Sequence, residues 1–402
     1  CDKKLAFEYF KKAADLGETN AMFSYANAVL LENGNIENCD EASKYFKKSA
    51  DLGNPYSMAV YGMILNRKNE NPNNKKIAIE YLKKSVDLQC PFGMFGYARV
   101  LSNSDDYESN RKAAELYKKI IDDGMDFMFN EFVMFEYGKL LETGKGVPKN
   151  LKEAAFYYKQ SADLGCTNAM ACYGEMLYYS EGVEIDKNES IKYLKKSIEL
   201  DNNRGRLIYG KILLSTDDIE SQKEAGKLFK KIIEKGDELL MNEKEKYNIN
   251  TKNFEIEIYG HALGIYGQML YYGTGIQSDK EESIKLLKKS IELNSSFGMF
   301  SYAKILLEKD DKESKLKAAE YFKRLIEHND SEAIYEYGMM LLTGDGIPMN
   351  KQEAIKYIKK SADLENRRAI YQYGNLIYKG DIISCDKKLA FEYFKKAADL
   401  GE

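Results

Sequence analysis

The sequence predicts an all-α fold of about ten stacked helix-turn-helix units, and three observations carry that prediction. A paired-lysine slot recurs at Lys11, Lys47, Lys83, Lys118, Lys159, Lys195, Lys230, Lys288, Lys323, Lys359 and Lys395, which gives a unit of about 36 residues with two insertions. Between these slots a Tyr followed by Gly or Ala stands at Tyr25, Tyr61, Tyr97, Tyr137, Tyr173, Tyr209, Tyr266, Tyr302, Tyr337 and Tyr373. The alternation that marks strands is absent. This period replaces the two or three globular domains that 402 residues would otherwise suggest with a single array over 1–402.

Each unit reads as two helices. The lysine-bearing helix follows the pattern A-x-x-Y-F-K-K-A-A-D-L-G, and the residue three before its tyrosine slot is small in every copy, from Ala6 and Ala42 to Ala354 and Ala390. A small residue there lets a neighbouring helix approach while the Tyr and Phe positions fill the adjoining space. Gly17, Gly53, Gly124, Gly165 and Gly236 stand where these helices should end in a left-handed cap. The tyrosine-bearing helix follows A-M-x-x-Y-G-x-x-L, with one apolar stripe at spacings of three and four. A single hairpin cannot bury that stripe, so stacking must supply the core. Insertions fall at 125–131 and 237–258, and Leu239, Leu240, Phe254 and Ile256 in the second are expected to pack back onto the array.

Composition removes several classes of function. Lys+Arg at 60 against Asp+Glu at 64 leaves a formal charge of -4, with no basic bias toward nucleic acid. No run of 18 apolar residues occurs, so no membrane insertion is expected. Six scattered cysteines suit a reducing compartment, and a cytoplasmic location follows, or the endoplasmic reticulum lumen if a signal peptide precedes Cys1. His261 and His328 alone leave little material for zinc or acid–base chemistry, and no cofactor or metal is expected.

Residues 133–165, VMFEYGKLLETGKGVPKNLKEAAFYYKQSADLG, and 333–364, AIYEYGMMLLTGDGIPMNKQEAIKYIKKSADL, resemble the Sel1-like repeat, a relative of the tetratricopeptide repeat. The parts recur in fixed order over essentially the whole chain. Tyr replaces the family's leucine before Gly, no Trp occupies the aromatic slot, and several copies lose the G-x-G turn. The resemblance implies a right-handed superhelical solenoid acting as a protein-binding scaffold, as in adaptors of ubiquitin-ligase and signalling complexes, and carries over no catalytic residues. A subtype linked to β-lactam hydrolysis has paired Cys in each repeat, which this chain lacks. A catalytic domain outside the window, with this chain as its scaffold portion, is the alternative.

Several local patterns imitate active sites. The turns Thr143-Gly144-Lys145-Gly146 and Thr343-Gly344-Asp345-Gly346 lack the strand and the Gly-Lys-Ser/Thr helix start of a phosphate loop and read as helix-ending turns. Asp105-Asp106, Asp217-Asp218 and Asp310-Asp311, each with Glu-Ser two residues on, lack a calcium loop's ligand spacing and read as helix N-caps. Met22, Met58, Met94, Met134, Met170 and Met299 share one slot and read as core filler, as does Cys172. The paired lysines read as a solvated face compensated by nearby acids, His261 as a surface or packing residue, and the N-x-S triplets at Asn188, Asn294 and Asn329 as chance matches.

Counting 100° per residue from the recurring Tyr, positions -2, +2 and +5 face away from the hairpin's own core. In related solenoids that direction is the concave face. It carries Phe23, Phe95, Phe135, Phe300, Tyr335 and Tyr371 at -2, and Tyr178, Tyr271 and Tyr378 at +5. At +2 stand Asn27, Arg99, Lys139, Glu175, Lys211, Gln268, Lys304 and Asn375. Such a row offers anchors for burial and polar groups for register, and is expected to bind a protein or peptide unless these rings are covered by adjacent helices. Finally, 1–18 and 385–402 are identical, CDKKLAFEYFKKAADLGE. This implies duplication of a block, or a window cut from a longer tandem array.

Overall fold

A computed structural model describes residues 3–33, 40–67, 72–124, 129–241, 249–380 and 383–401. Among these residues there are 21 helices and no strand, as the period requires. Contacts divide them into two compact units, Cys1–Tyr209 with Leu239–Phe254, and Gly210–Glu238 with Glu255–Glu402. The first unit holds α1 (Lys3–Asp15), α2 (Thr19–Asn33), α3 (Asp40–Asp51), α4 (Pro55–Arg67), α5 (Pro72–Asp87), α6 (Pro91–Ser102), α7 (Tyr107–Asp122), α8 (Asn130–Thr143), α9 (Leu151–Asp163), α10 (Thr167–Tyr179) and α11 (Lys187–Glu199). After α12 (Asn203–Leu214), α13 (Ile219–Met241) and α14 (Ile249–Tyr272), the second unit continues with α15 (Lys280–Glu292), α16 (Ser296–Leu307), α17 (Lys312–Ile326), α18 (Ser331–Thr343), α19 (Lys351–Asp363), α20 (Arg367–Lys379) and α21 (Lys387–Asp399). Even-numbered helices carry the Tyr-Gly marker and odd-numbered helices the paired lysines.

The marker is a socket. A Cβ on Gly138 would lie 2.9 Å from the Tyr158 ring, and one on Gly174 or Gly267 2.8 or 2.9 Å from Leu194 or Leu287. Each of these knobs, fully buried, comes from the following lysine-bearing helix. The recurring tyrosines then pack edge to face across the same pair, as in Tyr137–Tyr157, Tyr173–Tyr193 and Tyr373–Tyr393 at 5.0–5.1 Å between ring centres. Stacking of one unit on the next uses a second device. The serine after the paired lysines donates its hydroxyl to a backbone carbonyl 30 residues earlier, Ser161 to Glu131, Ser197 to Thr167, Ser290 to Gly260 and Ser361 to Ser331, at 2.6–2.9 Å. Tyr193 donates to Asp163 across the same interval.

Gly17, Gly53, Gly124 and Gly165 adopt positive φ as expected, and Gln89, Asp201, Asn294, Asn329 and Glu365 take that conformation where glycine is missing. Gly236 does not: α13 runs on to Met241, and the absent side chain makes room for the Tyr259 ring. Among the described residues, the second insertion extends α13 to Met241 and begins α14 at Ile249. Residues 125–128 and 242–248, the side chain of Phe254, and Cys1 and Cys39 lie outside the described residues.

Candidate functional site

In the first unit the even-numbered helices place the predicted aromatic residues in two environments. Phe95 and Phe135 are covered, at 7% and 6% exposure: each packs against the knob of its own hairpin, Tyr117 or Tyr158, as Phe23 does on Phe46, and in addition Phe95 stacks on Phe129 at 6.1 Å and a cation closes over each ring. Little of either ring is left open to a partner. Arg99 and Lys139 sit over these two rings, each 5.6 Å from the centre, so the buried phenyl faces serve as platforms for cations. Phe23 is half-buried against Phe46.

Sequence reasoning missed position -5, which lies at about 220° on the same wheel, beside positions -2 and +2. There stand Tyr56, Phe92 and Phe132, with Tyr56 and Phe132 each 43% exposed and Phe92 half-buried. Together with Phe23 they form a continuous row along the N-terminal ends of α2, α4, α6 and α8. Ring centres lie 5.9 Å apart from Phe23 to Tyr56, 5.6 Å to Phe92 and 5.7 Å to Phe129, then 6.2 Å to Phe132. Phe129, the N-cap of α8, follows the first insertion, which feeds an extra ring into the row. Counting back five from each tyrosine would have found most of this row.

Charges beside the row hold partners already. Lys139 pairs with Glu136 at 3.0 Å, Tyr158 donates to Glu142 at 2.5 Å, and Arg204, also at -5, lies among Glu142, Glu175 and Cys172. Burial pushes the Cys172 thiol up to about 12, so it remains a neutral core residue. At +5, the Tyr178 ring lies under the Lys187 ammonium, 5.0 Å from its centre.

The second unit repeats the scheme with a longer ion ladder. Glu336, buried in α18, accepts from Lys304 of α16 at 2.9 Å and from Arg368 of α20 at 2.8 Å. The Arg368 guanidinium covers the Tyr335 ring at 4.6 Å, which leaves Tyr335 only 8% exposed. Phe300 packs on Phe322, Gln268 faces Ser301, and Lys280 covers Tyr271. Lys211 is exposed, near His261, whose pKa burial lowers. Only Tyr371 and Tyr378, at 47% and 52%, stand well exposed among the predicted rings here.

The Sel1 repeat family model matches residues 2–18, 19–54, 57–90, 132–166, 167–202, 261–295, 331–366 and 367–402. The chain belongs to the Sel1 repeat family. Sel1 repeat folds are typically non-catalytic and commonly serve protein–protein interaction. A protective antigen of uropathogenic Escherichia coli strains, displaying an SLR fold, is similar over 99% of this chain and 80% of its own, at 21% identity and a TM-score of 0.55, a likeness that shows the fold. A Sel1 repeat protein from Oxalobacter formigenes covers 85% of this chain and 90% of its own at 18% identity and TM-score 0.42, and yeast Tom70 97% and 95% at 14% and 0.43. No curated protein matches. The stretches between Sel1 matches, 91–131, 203–260 and 296–330, hold the three Asp-Asp segments in place of a glycine turn.

Those segments are caps. Asp106, Asp218 and Asp311 accept from the backbone N–H of Ser109, Ser221 and Ser314 at 2.7–2.8 Å, and the hydrogen bonds hold all three carboxyls below the usual range. The glycine turns reach these caps through ion pairs: Lys145 pairs with Asp105 at 3.5 Å, and Lys315 bridges Asp345 at 2.7 Å and Asp310 at 3.8 Å. The methionine slot is buried at Met22, Met58, Met94, Met170 and Met299, and half-buried at Met134. The paired lysines are compensated locally, Lys47 by Asp51 and Lys118 by Asp122, while Lys195 and Lys323 cover Tyr209 and Tyr337. Among the described residues no group of His, Cys, Asp and Glu could hold a metal, and no helix is long and apolar enough to cross a membrane.

Proposed function

We propose that this Sel1 repeat chain, one array over 1–402, is a non-catalytic scaffold that binds a segment of a partner protein along the even-numbered helices of its first unit. The observation that carries the reading is the ring row Phe23–Tyr56–Phe92–Phe129–Phe132, each ring tilted or edge to face against the next yet the row partly open to solvent. Exposed aromatic rings that touch one another keep their positions, so a partner buries area without first ordering them. Tyr371 and Tyr378 on α20 are a smaller aromatic surface of the same kind. The balanced charge favours protein over nucleic acid as the partner, and free thiols at Cys90, Cys166, Cys172 and Cys385 suit a cytoplasmic setting.

The test is affinity capture with mass spectrometry, comparing the wild-type chain with a Tyr56→Arg, Phe132→Arg double variant. Both side chains are exposed, so the variant is expected to keep its helical circular dichroism and melting temperature while losing its captured partners. An unchanged partner set would sink the proposal.

A further inference from the structure

We infer that the segment held by the ring row is an amphipathic α-helix whose contacting face is apolar and uncharged; this rests on the proposed binding row. The spacing of the rings makes the choice. Successive centres from Phe23 through Tyr56 and Phe92 to Phe129 are 5.9, 5.6 and 5.7 Å apart. An α-helix advances about 5.4 Å per turn, so residues at i, i+4, i+7 and i+11 meet one ring each from Phe23 to Phe129. An extended strand offers a same-face residue only every ~6.8 Å, and drifts out of register within three rings. No sheet edge is present among the described residues, so strand addition has no template.

Charge selects the chemistry of the contacting face. Three carboxylates at the adjoining ends of the lysine-bearing helices are engaged: Asp15 accepts from Tyr45, Asp51 from Lys47 and Tyr81, and Asp122 from Lys118, while Asp87 is exposed. Glu18 caps α2 by accepting the backbone N–H of Ala21. On the other side of the row Lys139 is held by Glu136 and the Phe135 ring, and Arg99 by the Phe95 ring. A charged group laid directly on the rings would lose its hydration against them, whereas an apolar one buries area on the ring surfaces.

The test uses the 402-residue chain and two fluorescent peptides of about 15 residues, long enough to span four turns. One places Leu at i, i+4, i+7 and i+11 on an Ala/Gln helix; the other has the same composition with the leucines scrambled. Fluorescence anisotropy is read at low and high salt, with wild type and with Tyr56→Arg. The inference expects the periodic peptide to bind at least tenfold tighter than the scrambled one, to change less than twofold with salt, and to lose at least tenfold with Tyr56→Arg. Equal binding of both peptides, lost with Tyr56→Arg, would leave the row as a binding site but overturn the helix. Binding that collapses in high salt would overturn the uncharged face. No binding, or binding indifferent to Tyr56→Arg, overturns the row and the helix together. Concentration-dependent dimerisation abolished by Tyr56→Arg would replace the partner helix by a second copy of the chain.

Discussion

Arg206 occupies the slot that other copies give to methionine, and it is 1% exposed. Its guanidinium donates to the Asp201 carboxylate and carbonyl and to Asn203, while its Nε finds no acceptor. Replacing a buried, incompletely paired cation by a residue of matching shape is often neutral or stabilising. Arg206→Met should therefore raise stability by about 1 kcal/mol in denaturant unfolding; a loss of several kcal/mol would mean that the pair holds the Asp201 turn in place. The tyrosines set a second residue-scale expectation. The hydrogen bond to Asp15 and burial push Tyr45 up to about 12, and burial does the same for Tyr137. Both pKa values are raised above the ordinary 10.0, so the neutral form is favoured in the folded state. Its stabilisation is fully present below pH 10 and is lost as pH rises toward about 12. Thermal melts should fall steeply across that window, with phenolate absorbance appearing together with unfolding rather than before it.

At the scale of the element, the second glycine of each turn is constrained by the neighbouring unit. Gly146 has φ 73°, and a Cβ there would fall against the backbone of Asn110 and Arg111 in the first turns of α7. Gly165, with φ 105°, has open space around it. Gly146→Ala should cost at least about 2 kcal/mol, from left-handed strain together with the clash, and Gly165→Ala roughly 1 kcal/mol from strain alone. Equal losses in parallel denaturant titrations would show that turn-to-helix contact between units contributes nothing. The helices themselves and their caps were legible, since the 36-residue period, the Asp N-caps and most of the glycine C-caps are local signals. Gly236 was misplaced because a glycine that admits the Tyr259 ring looks the same in sequence as one that ends a helix.

At the scale of the whole chain, the contacts among the described residues of each compact unit run between helices adjacent in sequence, with a next-neighbour contact such as that of α4 with α6. Cooperativity in such a chain passes from unit to unit instead of through one core. Calorimetric unfolding should consequently give an enthalpy larger than the van't Hoff value. Equality of the two would mean that the described units unfold as one.

Periodicity and residue size are enough to read off the helices, their order, the family and the small-residue sockets, since each of these is a local pattern. Burial on the face turned away from the hairpin was decided only by tertiary packing. Phe95, Phe135 and Tyr335 share position -2 with Phe23 and Tyr371, yet a cation lies over each of the first three: Arg99, Lys139 and Arg368. Helical periodicity gives an angle and not which side chain folds over the ring. The open row moved to position -5, at the helix ends, where the lysine-bearing helices leave Tyr56 and Phe132 uncovered.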